Sequence, residues 1–393
     1  MKRLYIYIMY ACAMCAPALA QNAYQEVLSA VEANSPRLNA LRLESEAQQA
    51  EARQECVLEN PEVEFAYLWG DPSSIGHRWD LGVSQSFDFP TTYLHRSQVK
   101  RLAIESAHLQ YAAAKQEVML QAKQLCVELA YNDSLIGMLQ NQVKMAEKLL
   151  ECERTRLNEQ AATIIEYNLA QRQLQQSRSE LHTLLAQHDA QVMELQALAG
   201  ENISARLTLA DLPLYGHLSS FNDWWEQTAL QAPLMRYVQN EIELTEKQQR
   251  VAKDGWLPGL RIGYMSENTN EDTWRGLKVG VTLPVWGNRH KVKASQLRHE
   301  AAQNEAIAQK QAFMARLKGL FVKAQSQQQQ ASEIRSLIDE QQMPALLQKQ
   351  YNEGAITLPA YLSGMIEQLE LQKNLLSVER EACLMWTELH SIE

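Results

Sequence analysis

Two periodicities alternate along this chain. From Val63 the large apolar residues fall at every second position, Val63, Phe65, Tyr67 and Trp69. After the turn Gly70-Asp71-Pro72-Ser73-Ser74 they alternate again at Trp79, Leu81 and Val83, then Phe87 and Phe89. Arg78, Asp80, Ser84, Ser86 and Asp88 face the other way, which predicts a hairpin over 61–89 with one apolar and one polar face. The same pattern returns over 257–285. There Leu260, Ile262 and Tyr264 precede the polar loop SENTNEDT, and Leu277, Val279, Val281, Leu283 and Val285 alternate with Lys278, Gly280 and Thr282.

After each hairpin the period changes from two to seven. Leu129, Ile136, Val143, Leu150 and Leu157 form one seam of a helical run from about Pro90 to Leu157, with Leu125, Leu139 and Ala146 on the companion seam. Phe313, Leu317, Leu320, Ala324, Ala331, Ile334 and Ile338 do likewise in a run from Trp286 to Asn352. Coiled-coil spacing over this length predicts helices of ~100 Å at 1.5 Å per residue. Shorter helices follow, Thr163 to Ala199 and Leu358 to Ile392, and helical stretches Ala23 to Val57 and Phe221 to Lys253 precede the hairpins.

The order is therefore duplicated. Pro36, Pro61 and Tyr67 have counterparts 197 positions on at Pro233, Pro258 and Tyr264, and LNEQAATIIEY from Leu157 is echoed by YNEGAITLPAY from Tyr351. We divide the chain into a first repeat, 21–199, a mid-height linker, 200–219, and a second repeat, 220–393. The echoed phrases are turns between a long helix and its short partner. Asn158, Glu159 and Gln160 turn the first and Asn352, Glu353 and Gly354 the second, with Thr163 and Thr357 placed to cap the returning helices.

Residues 1–20 read as a secretory signal: Lys2 and Arg3 precede an apolar run, and Ala18-Leu19-Ala20 is a small-x-small cleavage site. Met14 before Cys15 and Tyr10 two before Cys12 do not suit lipid attachment. Beyond the signal no apolar stretch approaches the ~18 residues of a spanning helix. The formal charge of -10 argues against nucleic acid as a partner. Nine histidines and four mature cysteines form no metal-ligand spacing, and Cys383 continues the Leu362, Leu369, Leu376 heptad as a packing residue. His290 and His299 are expected to solvate their helix. With no phosphate loop, nucleophile elbow or acid pair, we expect no enzyme, cofactor or resident metal.

Trp69, Trp79, Trp256, Trp274 and Trp286 lie in or beside the hairpins, where an aromatic girdle at a bilayer interface would sit. Hairpins packing on a soluble core are the competing reading, in a periplasmic coiled-coil scaffold or adaptor. The neighbouring sequence offers no separate core for them to cover.

Taken together, the duplicated order, the NPEVEFAY and LPGLRIGY strand openings, the VSQSF and VTLPVWGNR passages and the YNEGAITLPAYL turn resemble the TolC-type outer membrane factors of tripartite efflux and type I secretion systems. NPEV and LPVWGNR look most like the Czc and Cus cation-efflux branch; a duct for drugs or secreted proteins is the alternative within the family. The resemblance implies a mainly α fold with a small β part. Each protomer of a homotrimer would give four transmembrane strands to one barrel, continued by a tunnel of long antiparallel helical hairpins across the periplasm. Independently, four strands leave open edges that lipid cannot satisfy, so closure needs further copies. Implied partners are outer membrane lipid, a periplasmic adaptor (membrane fusion) protein and an inner-membrane RND-type transporter that supplies energy. Glu166 falls where relatives carry an entrance carboxylate, whereas Ala360 and Ser363 hold the comparable places in the second phrase. Glu159, Glu166 and Glu353 are accordingly read either as gate residues or as solvated helix ends.

Overall fold

A computed structural model describes residues 23–72, 76–202, 207–213, 220–269, 271–341 and 343–392. The signal reading of 1–20, Ser73 and Ser74 of the first turn and much of the linker lie outside the described residues. Helices α1 (23–34) and α2 (Pro36–Gln54) lead to strands β1 (Glu62–Trp69) and β2 (His77–Phe87). Helices α3 (Pro90–Asn158) and α4 (Ile164–Ala199) complete the first half. The second comprises α5 (Phe221–Gln227), α6 (Pro233–Asp254), β3 (Gly259–Asn268), β4 (Thr273–Thr282), α7 (Asn288–Gln341), α8 (Met343–Asn352) and α9 (Leu358–His390).

Prolines set most departures from the expected elements. The stretch from Ala23 is two helices parted at Ser35, and that from Phe221 is α5, a 3-10 turn at Ala229–Gln231 and α6. Pro36 and Pro233 each begin the second piece, because proline lacks an N–H to donate and holds the residue before it out of the helical region. Ala232 is accordingly extended, with φ -54° and ψ 143°. The second long run is likewise two helices, α7 and α8, with Pro344 in the first turn of α8, while α3 is continuous over 69 residues.

The chain folds as two compact units, each drawn from both sequence halves. One contains the sheet and comprises Leu41–Ala113 and Leu230–Phe313. The sheet is antiparallel in the order β1-β2-β3-β4. Its registers put Val63 opposite Val83, Val83 opposite Tyr264 and Tyr264 opposite Leu277, so the alternating apolar residues of all four strands share one face. Below the sheet Val99, Leu102 and Leu244 form a core. Asn240 donates to the Leu102 carbonyl at 2.9 Å, and Ser45 to that of Ala107 at 3.0 Å. His299 is not merely solvated, since its Nδ1 lies 3.1 Å from Thr245 Oγ1 of α6.

The other unit holds residues up to Ala40, Ala114–Ala229 and Met314–Glu393. Its seams are those of the heptads: Leu125, Leu129, Ile136, Leu139 and Ala146 are buried on α3, as are Leu317, Ala324 and Ala331 on α7. Leu184 of α4 packs with Ile136 and Leu139. Lys373 of α9 binds Glu180 of α4 and Glu370, tying the returning helices together. Gly200 ends α4 at φ 74°, where an added Cβ would meet the Asn34 carbonyl oxygen at 2.7 Å. Burial raises the thiol pKa of Cys383 to about 11 and of Cys126 to about 12, so both behave as packing groups. Cys56 lies just past the end of α2 rather than on it.

Candidate functional site

Two places carry more than packing. The first is the pair of turns that end α3 and α8. They share one hydrogen-bond pattern: the Glu159 N–H donates to Thr155 O at 3.0 Å and that of Ala161 to Arg156 O at 2.8 Å, while Glu353 and Ala355 donate to Lys349 and Gln350 at 3.0 and 2.9 Å. This is a left-handed helix stop with its carbonyls satisfied. Its turning residue is Gly354 at φ 71° in one copy and Gln160 at φ 59° in the other, where a side chain is costly.

The returning helices start differently. Thr163 Oγ1 accepts from the Glu166 N–H at 3.3 Å, and Glu166 Oε2 accepts from the Thr163 N–H at 2.7 Å, a complete capping box. The hydrogen bond from the Thr163 backbone, followed by that from its side chain, holds the Glu166 carboxyl below its ordinary range. Thr357 occupies the cap position but makes no side-chain bond, and Ala360 stands where a carboxylate would complete the box. Glu353 lies 4.0 Å from Lys349, and Glu159 is exposed. Asn158 and Asn352 are the last helical residues before the two stops, and Gln348 donates to Asn352 Oδ1 at 3.0 Å.

The contact that joins the two turns uses residues missed in the sequence. Arg156 Nη1 donates to Glu153 at 2.7 Å and to the Tyr351 hydroxyl at 2.8 Å, and that hydroxyl donates to Glu153. Tyr351 also stacks on Tyr361, with ring centroids 4.8 Å apart. Glu153 is fully buried, and burial followed by its hydrogen bond pushes the Tyr351 hydroxyl pKa up. The signal was available: in Leu139, Val143, Ala146, Leu150, Glu153, Leu157, Glu153 is a carboxylate at a seam position.

The second place is the sheet. Along β2, His77, Trp79, Leu81 and Val83 are exposed while Arg78, Asp80, Gly82 and Ser84 are half-buried, and Leu260, Ile262 and Tyr264 are the exposed positions of β3. Leu277 and Val279 of β4 are 82% and 67% exposed. On the two central strands the apolar face thus looks outward and the polar face is the more sheltered one, the reverse of a water-soluble sheet. On the polar face Arg78 binds Asp80 at 2.8 Å and Glu267 at 2.9 Å, and Arg261 lies 3.5 Å from Glu62. Both β1 and β4 are edges with exposed residues along nearly their whole length.

The five tryptophans do not share one position. Trp69 and Trp79 stand on the apolar face near the turn end, where Trp79 lies 6.3 Å from Phe65 and Trp69 lies 5.4 Å from Tyr67. Trp256 and Trp286 flank the helix-proximal end. Trp274 is opposite Glu267 in the register and so falls on the polar face. Among the described residues no group of three His, Cys, Asp or Glu is placed to hold a metal ion, and no helix is long and apolar enough to cross a membrane.

No protein-family model matches this chain, and no curated protein does. Solved structures match it over nearly its whole length. It is 13% identical to CusC, described for the conformational changes accompanying folding and transmembrane channel formation, with a TM-score of 0.82 over 94% of this chain and 92% of that one. For the CmeC outer membrane channel of Campylobacter jejuni the identity is 13% and the TM-score 0.78, over 94% and 85%. For the outer membrane protein VceC of Vibrio cholerae they are 14% and 0.75, over 94% and 95%. The chain has the fold of these proteins.

Proposed function

We propose that this chain is the outer membrane channel of a tripartite efflux system, a duct of the TolC type rather than an enzyme. The observation that carries the reading is the inverted sheet. An outward apolar face that none of the described residues covers suits lipid, and a polar face of paired charges, sheltered on the two central strands, suits a watery lumen. Two edge strands without outer partners among the described residues call for neighbouring strands. Three copies would close a twelve-stranded barrel. Trp69 and Trp79 then lie at one lipid–water interface, Trp256 and Trp286 at the other, and Trp274 in the lumen. On this reading one pair of turns per protomer lies at the periplasmic mouth. There the adaptor and the inner-membrane RND-type transporter engage, and the Glu153–Arg156–Tyr351 contact holds the turns of one protomer together.

From the NPEV and LPVWGNR passages we infer that the cargo is heavy-metal cations, selected by the transporter. Fractionation and bilayer recording test the channel. Recovery as a detergent-dependent trimer in the outer membrane fraction, with discrete conductance steps, is expected; recovery as a soluble monomer would sink the reading. Loss of metal tolerance, with drug tolerance intact, on deletion of the gene is the expected sign of the cargo.

A further inference from the structure

The helices that leave the sheet begin with the wrong charge. Helix N-termini favour acidic residues, yet α7 opens with Arg289, His290, Lys291, Lys293 and Arg298 and meets no acid before Glu300. Helix α3 opens with His95, Arg96, Lys100 and Arg101 and meets none before Glu105. This happens in a chain whose net charge is -10. Arg96 is paired with Asp88 at 2.6 Å and His95 with Asp254 at 2.6 Å. Arg101, Arg289, Lys291, Lys293 and Arg298 are exposed, and none forms an ion pair among the described residues.

Their arrangement is that of a surface rather than a pocket. Helix α7 packs through buried Asn288 and Ser295 and through His299, and Asn288 donates to the Ala252 carbonyl at 3.3 Å. Lys291 and Arg298, seven apart, lie on one side of that packed face, and Arg289 and Lys293, four apart, on the other. Immediately before them the chain is apolar and bare: Leu283, Val285 and Trp286 are 67%, 60% and 93% exposed. Apolar side chains, then an indole, then a run of unpaired cations is the order met on passing from hydrocarbon through the interface to the headgroups. The opposite rim of the sheet reverses the sign, with Asp71, Glu271 and Asp272 in the turns.

We infer that the starts of α7 and α3 form a basic collar that binds the phosphate groups of anionic phospholipid in the leaflet nearest the helices. The inference rests on the channel reading above. Cations spread along two sides of a helix suit a field of lipid phosphates, because a single soluble phosphate would need converging donors. Bound lipid would also relieve the repulsion between these cations and the helix dipole.

The test uses the full-length protein in detergent, offered equal amounts of phosphatidylglycerol and phosphatidylcholine, with retained lipid counted by native mass spectrometry. Wild type should retain phosphatidylglycerol preferentially and lose the preference as salt rises. Each cation removed in Lys293→Gln and in Arg289→Gln/Lys293→Gln should weaken it about fivefold. Lys318→Gln/Lys323→Gln, farther along α7, should leave it unchanged. Equal retention of the two lipids by wild type, or an equal loss in the control pair, overturns the collar. So does a shift of channel reversal potential in the collar variants with lipid preference intact, which would place these cations on the pore. Should the double variant fail to fold, the salt titration of wild type still decides. A chain that conducts but shows no preference removes the collar alone, whereas a wholly soluble chain removes the channel reading as well.

Discussion

The Tyr351 hydroxyl donates to the carboxylate of Glu153, a residue 198 positions earlier, and so ties the second turn to the first. Arg156 completes the contact by donating to both. Because Glu153 is fully buried and its Oε1 takes both bonds, losing the hydroxyl leaves that oxygen to Arg156 alone and removes one hydrogen bond to a charged group, at a cost of ~1.5 kcal/mol or more. Tyr351→Phe should lower the melting temperature in detergent and raise the open probability in planar bilayers. Unchanged conductance alongside a lower melting temperature would make the contact structural only. Burial raises the hydroxyl pKa in the folded chain, so the stabilisation is complete below the unfolded value near 10 and falls as pH rises beyond it. Tyr351→Phe should flatten that alkaline loss.

Gln160 pays for a conformation that Gly354 adopts freely. Both turn at positive φ, 59° and 71°, and nothing lies within 4 Å of a Cβ added at Gly354, so conformation alone separates them. Gln160→Gly should stabilise by roughly 1 kcal/mol, and Gly354→Ala should destabilise by a similar amount. Thermal unfolding of the two variants checks the pair of signs.

Most of the fold was legible because two periods carry it. Alternation from Val63 and from Leu260 marked the strands, and the heptads through Leu129 and Leu317 marked seams that are buried. What was misread is local or long-range. Pro344 interrupts the heptad run of 286–352, and it coincides with the division of α7 from α8. Trp274 lies near the other tryptophans in sequence, yet its even number sets it on the face of Lys278 rather than that of Leu277. The partner of Glu153 could not be read at all, since nothing local to Arg156 points to Tyr351. Proximity of charge-bearing residues far apart in sequence is set by how the seams align, and heptads repeat too regularly to fix that alignment.

The capping box should respond to pH where its counterpart does not. Glu166 is held ionised by Thr163, so its contribution is complete above the ordinary carboxyl value of 4.5 and is lost as pH falls through the depressed folded value. Thr163→Ala should cost about 1 kcal/mol at neutral pH, and Glu166→Gln should remove part of the acid sensitivity of melting. Thr357→Ala should cost little, because that hydroxyl caps nothing. Equal losses in the two threonine variants would contradict the difference between the turns.

The two faces of β4 give the most direct check on the inverted sheet. Val279 and Lys278 are neighbours in sequence whose registers, opposite Ile262 and Gly263, put them on opposite faces. With Val279→Cys and Lys278→Cys each introduced into a chain whose native cysteines are replaced by serine, reconstituted protein is treated with a charged thiol reagent. Lys278→Cys should react and cut conductance as the label narrows the lumen, and Val279→Cys should stay unlabelled until a lipid-soluble maleimide is used. Trp274→Cys should follow Lys278→Cys, since it shares the polar face with Glu267, and Trp69→Cys should follow Val279→Cys. A reversed pattern would mean that the apolar side chains face water in the assembled protein, which no bilayer-spanning sheet tolerates.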